Sequence, residues 1–362
     1  MSTLGTVLVV GGCGLLGHHI VKKAIESEES SRVAVLDIFT HTNRIEGVDY
    51  VTGSITSRDD VEKVLRAYAP TVVFHTVSPD PLAENRERFY NVNVKGIEIL
   101  LQCIMKAPSV RALIYTSSSS VVHNSYTDLV KVTEEIALFF EPDQKVYYSH
   151  TKAVAEDMIL KANKQNGLLT ASIRPATLFG EGDLMLWPNL TELGRKNIII
   201  GTGDNMFDFT YVGNNAYAHV LAAKALVKTA TTADQQPDHL RVDGEAFVVT
   251  NDEPWKFWDF AVALSQAAGY KVDRTKVRYL PKGPLLLALG IWEFIFRVLT
   301  LGSKQPWMNR RKVLPTTLER TFDISKAKER LGYRAQVGMQ EAINRTAVWN
   351  KTRSGSQGKK EA

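Results

Sequence analysis

Cysteine is nearly absent, with only Cys13 and Cys103 in a chain of 362 residues. Two thiols cannot build a disulfide framework, and the first residues run straight into a strand pattern without a secretory leader. A reducing environment, cytosolic or facing the cytosol, is therefore expected. The Asn-x-Thr triplets at Asn189, Asn344 and Asn350 are accordingly read as chance matches. Charge of one sign is also lacking: 44 basic residues face 39 acidic ones, a net charge of +5. No Lys/Arg block interleaved with aromatics stands outside the C-terminal region, so no nucleic-acid partner is expected. There is no internal repeat, and nothing resembles a zinc site, so no metal is expected. What is abundant is core material, 44% hydrophobic residues, which excludes a disordered chain.

The first half alternates strand and helix patterns. Short apolar runs at residues 6–10, 32–38, 48–52, 71–76, 112–116 and 169–173 predict strands. Helices are predicted over 15–25, 58–68, 85–105 and 146–163. Strands this apolar, each followed by a helix, predict an α/β fold with a doubly wound parallel sheet covered on both faces. After Pro175 the order is less regular, with helices expected at 191–196, 214–228 and 255–268 and a strand at 246–250. Residues 1–180 are taken as the cofactor-binding domain, 181–350 as a smaller substrate-binding region, and 351–362, polar and basic, as a disordered tail.

Directly after the first strand come Gly11, Gly12, Cys13, Gly14, Leu15, Leu16 and Gly17, opening the first helix. Glycines at 11, 14 and 17 permit a tight turn and let the backbone approach a pyrophosphate on the positive end of the helix. Asp37 ends the second strand, 20 residues after Gly17. A carboxylate there can accept hydrogen bonds from ribose hydroxyls and would repel a 2′-phosphate, which favours NAD over NADP. Ser54 and Ile55, after the third strand, and Val77, after the fourth, fall where adenine and the central ribose would lie.

Tyr148 and Lys152 stand four apart at the start of a helix, on one face. A tyrosine with its ordinary pKa near 10 is a poor base at neutral pH, and a cationic neighbour favours the phenolate. The run Ser117–Ser120, at the end of the fifth strand, can hold a substrate oxygen beside the tyrosine, although the sequence leaves open which serine does so. Asn93, in the preceding helix, is a further candidate.

In this order and spacing the glycine loop, a strand-end serine and Tyr-x-x-x-Lys resemble the extended short-chain dehydrogenases, whose fold is Rossmann-like. The resemblance implies Tyr148 as general base and Lys152 bound to the nicotinamide ribose while lowering the tyrosine pKa. It also implies Ser118, the second serine of Tyr-Thr-Ser-Ser, orienting the substrate, and Asn93 linked to a proton relay. Arg174-Pro175-Ala176-Thr177-Leu178-Phe179-Gly180 resembles the segment that lies against the nicotinamide, which brings in Pro175. More specific is the likeness to the 3β-hydroxysteroid dehydrogenase family, nearest to sterol-4α-carboxylate 3-dehydrogenases (decarboxylating). It is carried by Phe74-His75-Thr76-Val77-Ser78-Pro79, Asp208-Phe209-Thr210-Tyr211-Val212, Asp243-Gly244-Glu245-Ala246-Phe247, Thr250-Asn251-Asp252-Glu253-Pro254 and Phe322-Asp323-Ile324-Ser325-Lys326-Ala327. That likeness implies oxidation of a 3β-hydroxyl on a sterol or triterpenoid, accompanied by loss of a 4α-carboxylate. A dehydrogenase or epimerase for a nucleotide sugar is the first rival. Such epimerases usually place a diphosphate-binding arginine immediately before the Asp-Phe pair, and here Phe207 stands there. A non-enzymatic NAD(H)-sensing regulator is the second rival, and such proteins tend to lose the Tyr/Lys pair. Ser54, where the family often has an acid, and Asn214-Asn215 are departures from the family pattern.

The most apolar stretch, residues 284–302, contains Glu293 and Arg297, four apart with the acid first, an arrangement that suits pairing on one helical face. Two readings stand level: a buried cap helix, or a helix that docks on a membrane surface and frames the entrance for a lipid-like substrate. Spanning ranks below both. The resemblance implies the cytosolic face of the endoplasmic reticulum membrane, and a homodimer, which no residue pattern demonstrates.

Overall fold

The computed structural model describes residues 4–83, 85–232, 237–301, 304, 306 and 308–358. Seven strands form a parallel sheet: β1 (Gly5–Val10), β2 (Ser30–Asp37), β3 (Asp49–Thr52), β4 (Val72–His75), β5 (Ala112–Thr116), β6 (Leu169–Pro175) and β7 (Glu245–Val249). Their spatial order is β7-β6-β5-β4-β1-β2-β3. The direction of winding reverses between β1 and β4, which opens a crevice beyond the carboxyl ends of those strands. Alternation explains the uninterrupted apolar runs. Val7 and Val9 of β1 enter one core layer and Leu8 and Val10 the other, so all four residues from Val7 to Val10 are buried.

Helices α1 (Leu15–Glu26), α2 (Arg58–Tyr68), α3 (Gly96–Ile104), α4 (Tyr147–Lys161) and α5 (Val212–Thr231) cover the two faces. Local signals set their ends. The Ser57 hydroxyl accepts from the Asp60 N–H at the start of α2, where Asp59 and Asp60 also face the helix dipole, and Ala69 closes the helix in the left-handed conformation. Helix α4 is fastened to β6 by a buried ion pair. Glu156, fully buried, accepts from Arg174 Nε at 2.9 Å and from the Ser172 hydroxyl at 2.9 Å.

Several expectations are corrected. The helix expected over 85–105 is split: Arg86–Phe89 is α-helical, Tyr90–Lys95 is a π-helix, and α3 begins only at Gly96. A π turn takes one extra residue and displaces the side chains on it, which no apolar period reveals. The boundary at residue 180 is crossed, because β7 pairs with β6 and α5 packs against α1. Residues 186–195 form the helix expected at 191–196, and Trp255–Lys256 is a strand preceding a helix that starts at Phe257. A second sheet of four short strands runs in the order Trp255–Lys256, Met206–Phe207, Arg320–Phe322, Leu129–Val132. The final helix, Met339–Gly358, carries through 351–358, where a disordered tail was expected, and residues 359–362 lie outside the described residues.

Helix α6 (Lys282–Leu299) holds most of the apolar stretch, and Gly302 at its end lies outside the described residues. Leu289 is the buried residue of this helix, while Leu287, Phe294 and Leu299 are 68%, 69% and 75% exposed. Glu293 pairs with Arg310, Nε to Oε2 at 2.9 Å, and not with Arg297 as expected from spacing. Among the described residues, no helix is long and apolar enough to cross a membrane.

The buried pair yields a stability prediction. Arg174→Met leaves the Glu156 carboxylate enclosed without its partner and should cost about 3–5 kcal/mol of unfolding free energy, measured by urea denaturation. A cost below about 1 kcal/mol, the range of an exposed pair, would show that the pair does not fasten α4 to the sheet.

Candidate active site

The crevice at the switch point is lined by the glycine loop. Gly11 has a φ of +88°, and a Cβ there would come within 2.7 Å of the Thr76 hydroxyl and 2.9 Å of Val77 Cγ2. A Cβ on Gly17 would collide with the Gly11 carbonyl, so helix α1 can start this close to β1 only with glycine there. Gly14 caps α1, and Leu15 and Leu16 form its first turn, so their N–H groups point out of the helix toward the crevice. Asp37 folds back on the loop: its carboxylate accepts from Cys13 N–H at 2.9 Å and from Phe39 N–H at 3.2 Å. Both oxygens retain lone pairs for ribose hydroxyls. The exposed rings and chains of Phe39 and Ile38 stand beside it and offer an apolar face for a base, a feature sequence reasoning passed over. Ser54 donates its N–H to Asp60 and shares a hydroxyl contact of 2.8 Å with Thr56, while Ile55 is buried against Gly96. Pro175 is buried at the end of β6. A cradle that a Cβ would fill, a helix N-terminus and a strand-end carboxylate together fit a dinucleotide.

Tyr148 and Lys152 lie on the first turns of α4, at the end of β5. Tyr148 is partly buried, with its ring 5.8 Å from that of Phe89. Burial pushes its hydroxyl up to about 12, against which the Ser118 hydroxyl acts through a hydrogen bond. That contact sets Ser118 apart from Ser117 and Ser120. Ser118 reaches Tyr148. Ser120 bonds Ser118 at 2.9 Å and accepts from Ser149 at 2.9 Å, and the buried Ser117 hydroxyl has no partner.

Lys152 is 2% exposed. Its ammonium donates to the Thr116 carbonyl and lies 4.3 Å from the centre of the Tyr115 ring. Burial pulls it down to about 7, opposed by the Glu156 carboxylate one turn along the helix. The expectation that Lys152 bears directly on the Tyr148 hydroxyl is thus modified, since the influences acting on that hydroxyl are burial and Ser118. Asn93 sits on the π turn. Its amide donates to the Thr151 hydroxyl at 3.0 Å, which donates to the Tyr148 carbonyl at 2.8 Å, and its Oδ1 is buried without a partner.

Two histidines close the site from below, and neither was marked by the sequence as more than core. The His219 imidazole bonds the Asn215 carbonyl through Nδ1 at 2.9 Å and the Thr116 hydroxyl through Nε2 at 2.8 Å. A carbonyl only accepts, so Nδ1 carries the proton and the Thr116 hydroxyl donates to Nε2. Burial holds His219 down to about 4 and His75, whose two ring nitrogens have no partner, down to about 3, with Lys152 acting in the same direction on both. Both imidazoles are therefore neutral near pH 7. The arrangement can hold an alcohol oxygen between two hydroxyls, remove its proton, and keep a cation one helical turn away.

The 3-beta hydroxysteroid dehydrogenase/isomerase family model matches residues 8–281. The sterol-4-alpha-carboxylate 3-dehydrogenase, decarboxylating, of Saccharomyces cerevisiae is 33% identical over 362 residues, covering 96% of this chain and 99% of that one. The 3beta-hydroxysteroid-dehydrogenase/decarboxylase isoform 2 of Arabidopsis thaliana is 34% identical over 372 residues, covering 98% of this chain. The chain spans 64% of that relative's length. Among solved structures, the UDP-glucuronic acid 4-epimerase of Bacillus cereus in complex with NAD superposes with a TM-score of 0.70 at 17% identity, over 96% of this chain and 99% of that one. At that identity the likeness shows the fold alone.

The depressed Lys152 sets a pH dependence. Between about 7 and 10.5 the folded protein holds fewer protons at this site than the unfolded chain, so stability rises with pH across that window. Lys152→Met should flatten this part of the urea-midpoint profile. A variant profile parallel to that of the parent would mean that the lysine is charged throughout.

Proposed function

Because the chain belongs to the 3-beta hydroxysteroid dehydrogenase/isomerase family, we propose that it oxidises the 3β-hydroxyl of a sterol or triterpenoid to a ketone, with loss of the neighbouring 4α-carboxylate as CO₂. The observation that carries the reading is the Ser118–Tyr148 hydroxyl pair, set at the mouth of the dinucleotide crevice one helical turn from a buried lysine. Ser118 orients the alcohol, and Tyr148 takes its proton. Burial holds the Tyr148 hydroxyl up near 12 against the hydrogen bond from Ser118, so its ionisation calls for a cation, a role this reading gives to Lys152, one helical turn along α4. Asn93, through Thr151, holds the first turn of α4 and offers its free Oδ1 to a proton path. NAD, held by the glycine loop, Asp37, Ser54, Ile55, Val77, Lys152 and Pro175, supplies the hydride acceptor. A ketone at C3 lies β to the acid, so the electrons of the breaking C4–carboxyl bond pass to the ketone oxygen, and protonation of the resulting enolate completes the step.

The test is NADH formation by the purified protein with a 4α-carboxy-3β-hydroxysterol, comparing the parent with Tyr148→Phe. Turnover should fall about 10²–10⁴-fold while NADH binding stays nearly unchanged, and full turnover by the variant would sink the mechanism. Asp37→Ala should weaken the preference for NAD over NADP, and an unchanged ratio would remove Asp37 from its assigned role.

The outward face of α6 supports docking on the cytosolic face of the endoplasmic reticulum membrane. Leu287, Ile291, Phe294, Val298 and Leu299 form an exposed apolar surface, with Arg297, Arg310 and Arg311 close by in the chain. An apolar face with basic neighbours suits an anionic bilayer surface. Phe294→Asp combined with Leu287→Asp should reduce co-sedimentation with phosphatidylserine-containing vesicles at least tenfold, at about 0.8 kcal/mol per buried methylene. Equal sedimentation of parent and variant would exclude α6 as the docking element.

A further inference from the structure

The position that Phe207 leaves uncharged is supplied with a cation from another strand. Phe207 and Arg320 are paired in register between neighbouring strands of the second sheet, so their side chains leave the same face. The Arg320 guanidinium carbon lies 5.8 Å from the centre of the Phe207 ring. The side chain is mostly enclosed but keeps a minor part of its surface open. Its Nε has no hydrogen-bond partner, and burial pulls the group down to about 10 with no carboxylate opposing that pull. The nearby acids are committed elsewhere. Asp208, which directly follows that strand, accepts from the Phe322 N–H at 2.8 Å, and Asp128 accepts from the Glu319 N–H at 2.9 Å.

Arg320 is also linked to the turn that carries Ser118. Its charge acts on His123, which burial and then Arg320 hold down to about 4. His123 closes the single turn Ser119–Val122 that begins at Ser118. Gln144 ties this turn to the catalytic helix, donating to the Ser120 and His123 carbonyls at 3.2 and 2.9 Å and accepting from Val146 N–H at 3.1 Å, at the start of α4.

A cation that is enclosed and unpaired is costly to keep unless a ligand brings the missing anion. We propose that Arg320 binds the carboxylate of the substrate and thereby selects 4α-carboxysterols over 3β-hydroxysterols that lack the acid. This rests on the sterol reading above and deepens it. A guanidinium fork matches a carboxylate with two parallel N–H···O bonds, and Phe207 flanks that fork with an apolar wall that favours charge-assisted contacts over water.

The test measures initial rates of NADH formation with a 4α-carboxy-3β-hydroxysterol and with the acid-free sterol of the same skeleton, for the parent, Arg320→Gln and Arg320→Lys. NADH binding serves as the control for folding. The parent should prefer the acid. Arg320→Gln should raise KM for the acid at least about tenfold, the scale of one charge-assisted contact, and leave KM for the acid-free sterol within about twofold. Arg320→Lys, which keeps the charge but not the fork, should recover part of the loss, and it carries the same comparison should the glutamine variant fail to bind NADH. Equal losses on both sterols, no loss on either, or a parent indifferent to the acid would overturn the proposal and leave the dehydrogenase standing. Turnover of neither sterol by the parent would fail the sterol reading and this proposal with it.

Discussion

Lys152 gives up nearly all contact with water, keeps a hydrogen bond to the Thr116 carbonyl and rests against the Tyr115 ring. An ammonium in that position is expensive, and the neighbouring groups leave it only weakly compensated. Glu156 could neutralise it, but that carboxylate is taken by Arg174 and Ser172. His75 and His219 could share the site as cations, but burial keeps both neutral. Thr116 is fixed by His219, so the carbonyl that receives the lysine sits at a defined place at the end of β5. The result is a buried lysine fixed at the end of β5, one helical turn from a tyrosine whose hydroxyl burial keeps protonated.

The same strand end organises the substrate side. β5 ends at Thr116, and the chain continues through Ser117 and Ser118 into the turn that leads to His123 and on toward the second sheet. Thr116, which receives Lys152, Ser118, which bonds Tyr148, and His123, on which the charge of Arg320 acts, thus follow one continuous stretch of chain. The parallel sheet makes this possible by delivering the ends of β1, β4, β5 and β6 to one edge, with the glycine loop on one side of the reversal and Tyr148 on the other. The exposed apolar face of α6 belongs to a different part of the chain from these residues.

What was legible in the sequence follows from short-range physics. The strands announced themselves because two-sided burial demands apolar runs, and α2 was bounded correctly because Ser57 and its acidic first turn are local capping signals. Tyr148, Lys152 and the glycine loop were singled out by their spacing, and the structure places them at the start of α4 and at the end of β1. What escaped depends on contacts distant in sequence. Local pattern did not tell Ser118 from Ser117 or Ser120; the family resemblance singled it out, and the structure sets it against Tyr148. His219 lies 103 residues from the threonine it binds. β7 joins the main sheet through pairing with β6 that no local pattern encodes. The π turn around Asn93 keeps helical composition while changing where the side chain points. Glu293 had a partner at the expected helical spacing, yet paired with Arg310 from a later segment. Phe207 before the Asp-Phe pair was legible in the sequence, whereas its pairing with Arg320 required the sheet register.

The account turns on oxidation at C3 preceding loss of the acid. The direct measurement is a single incubation of the protein and NAD with a 4α-carboxy-3β-hydroxysterol carrying deuterium at C3 and ¹³C in the carboxyl group. The account predicts deuterium in the reduced cofactor, ¹³CO₂ released in step with it, and a 3-ketone without the C3 label. Release of ¹³CO₂ with deuterium still at C3 would contradict it.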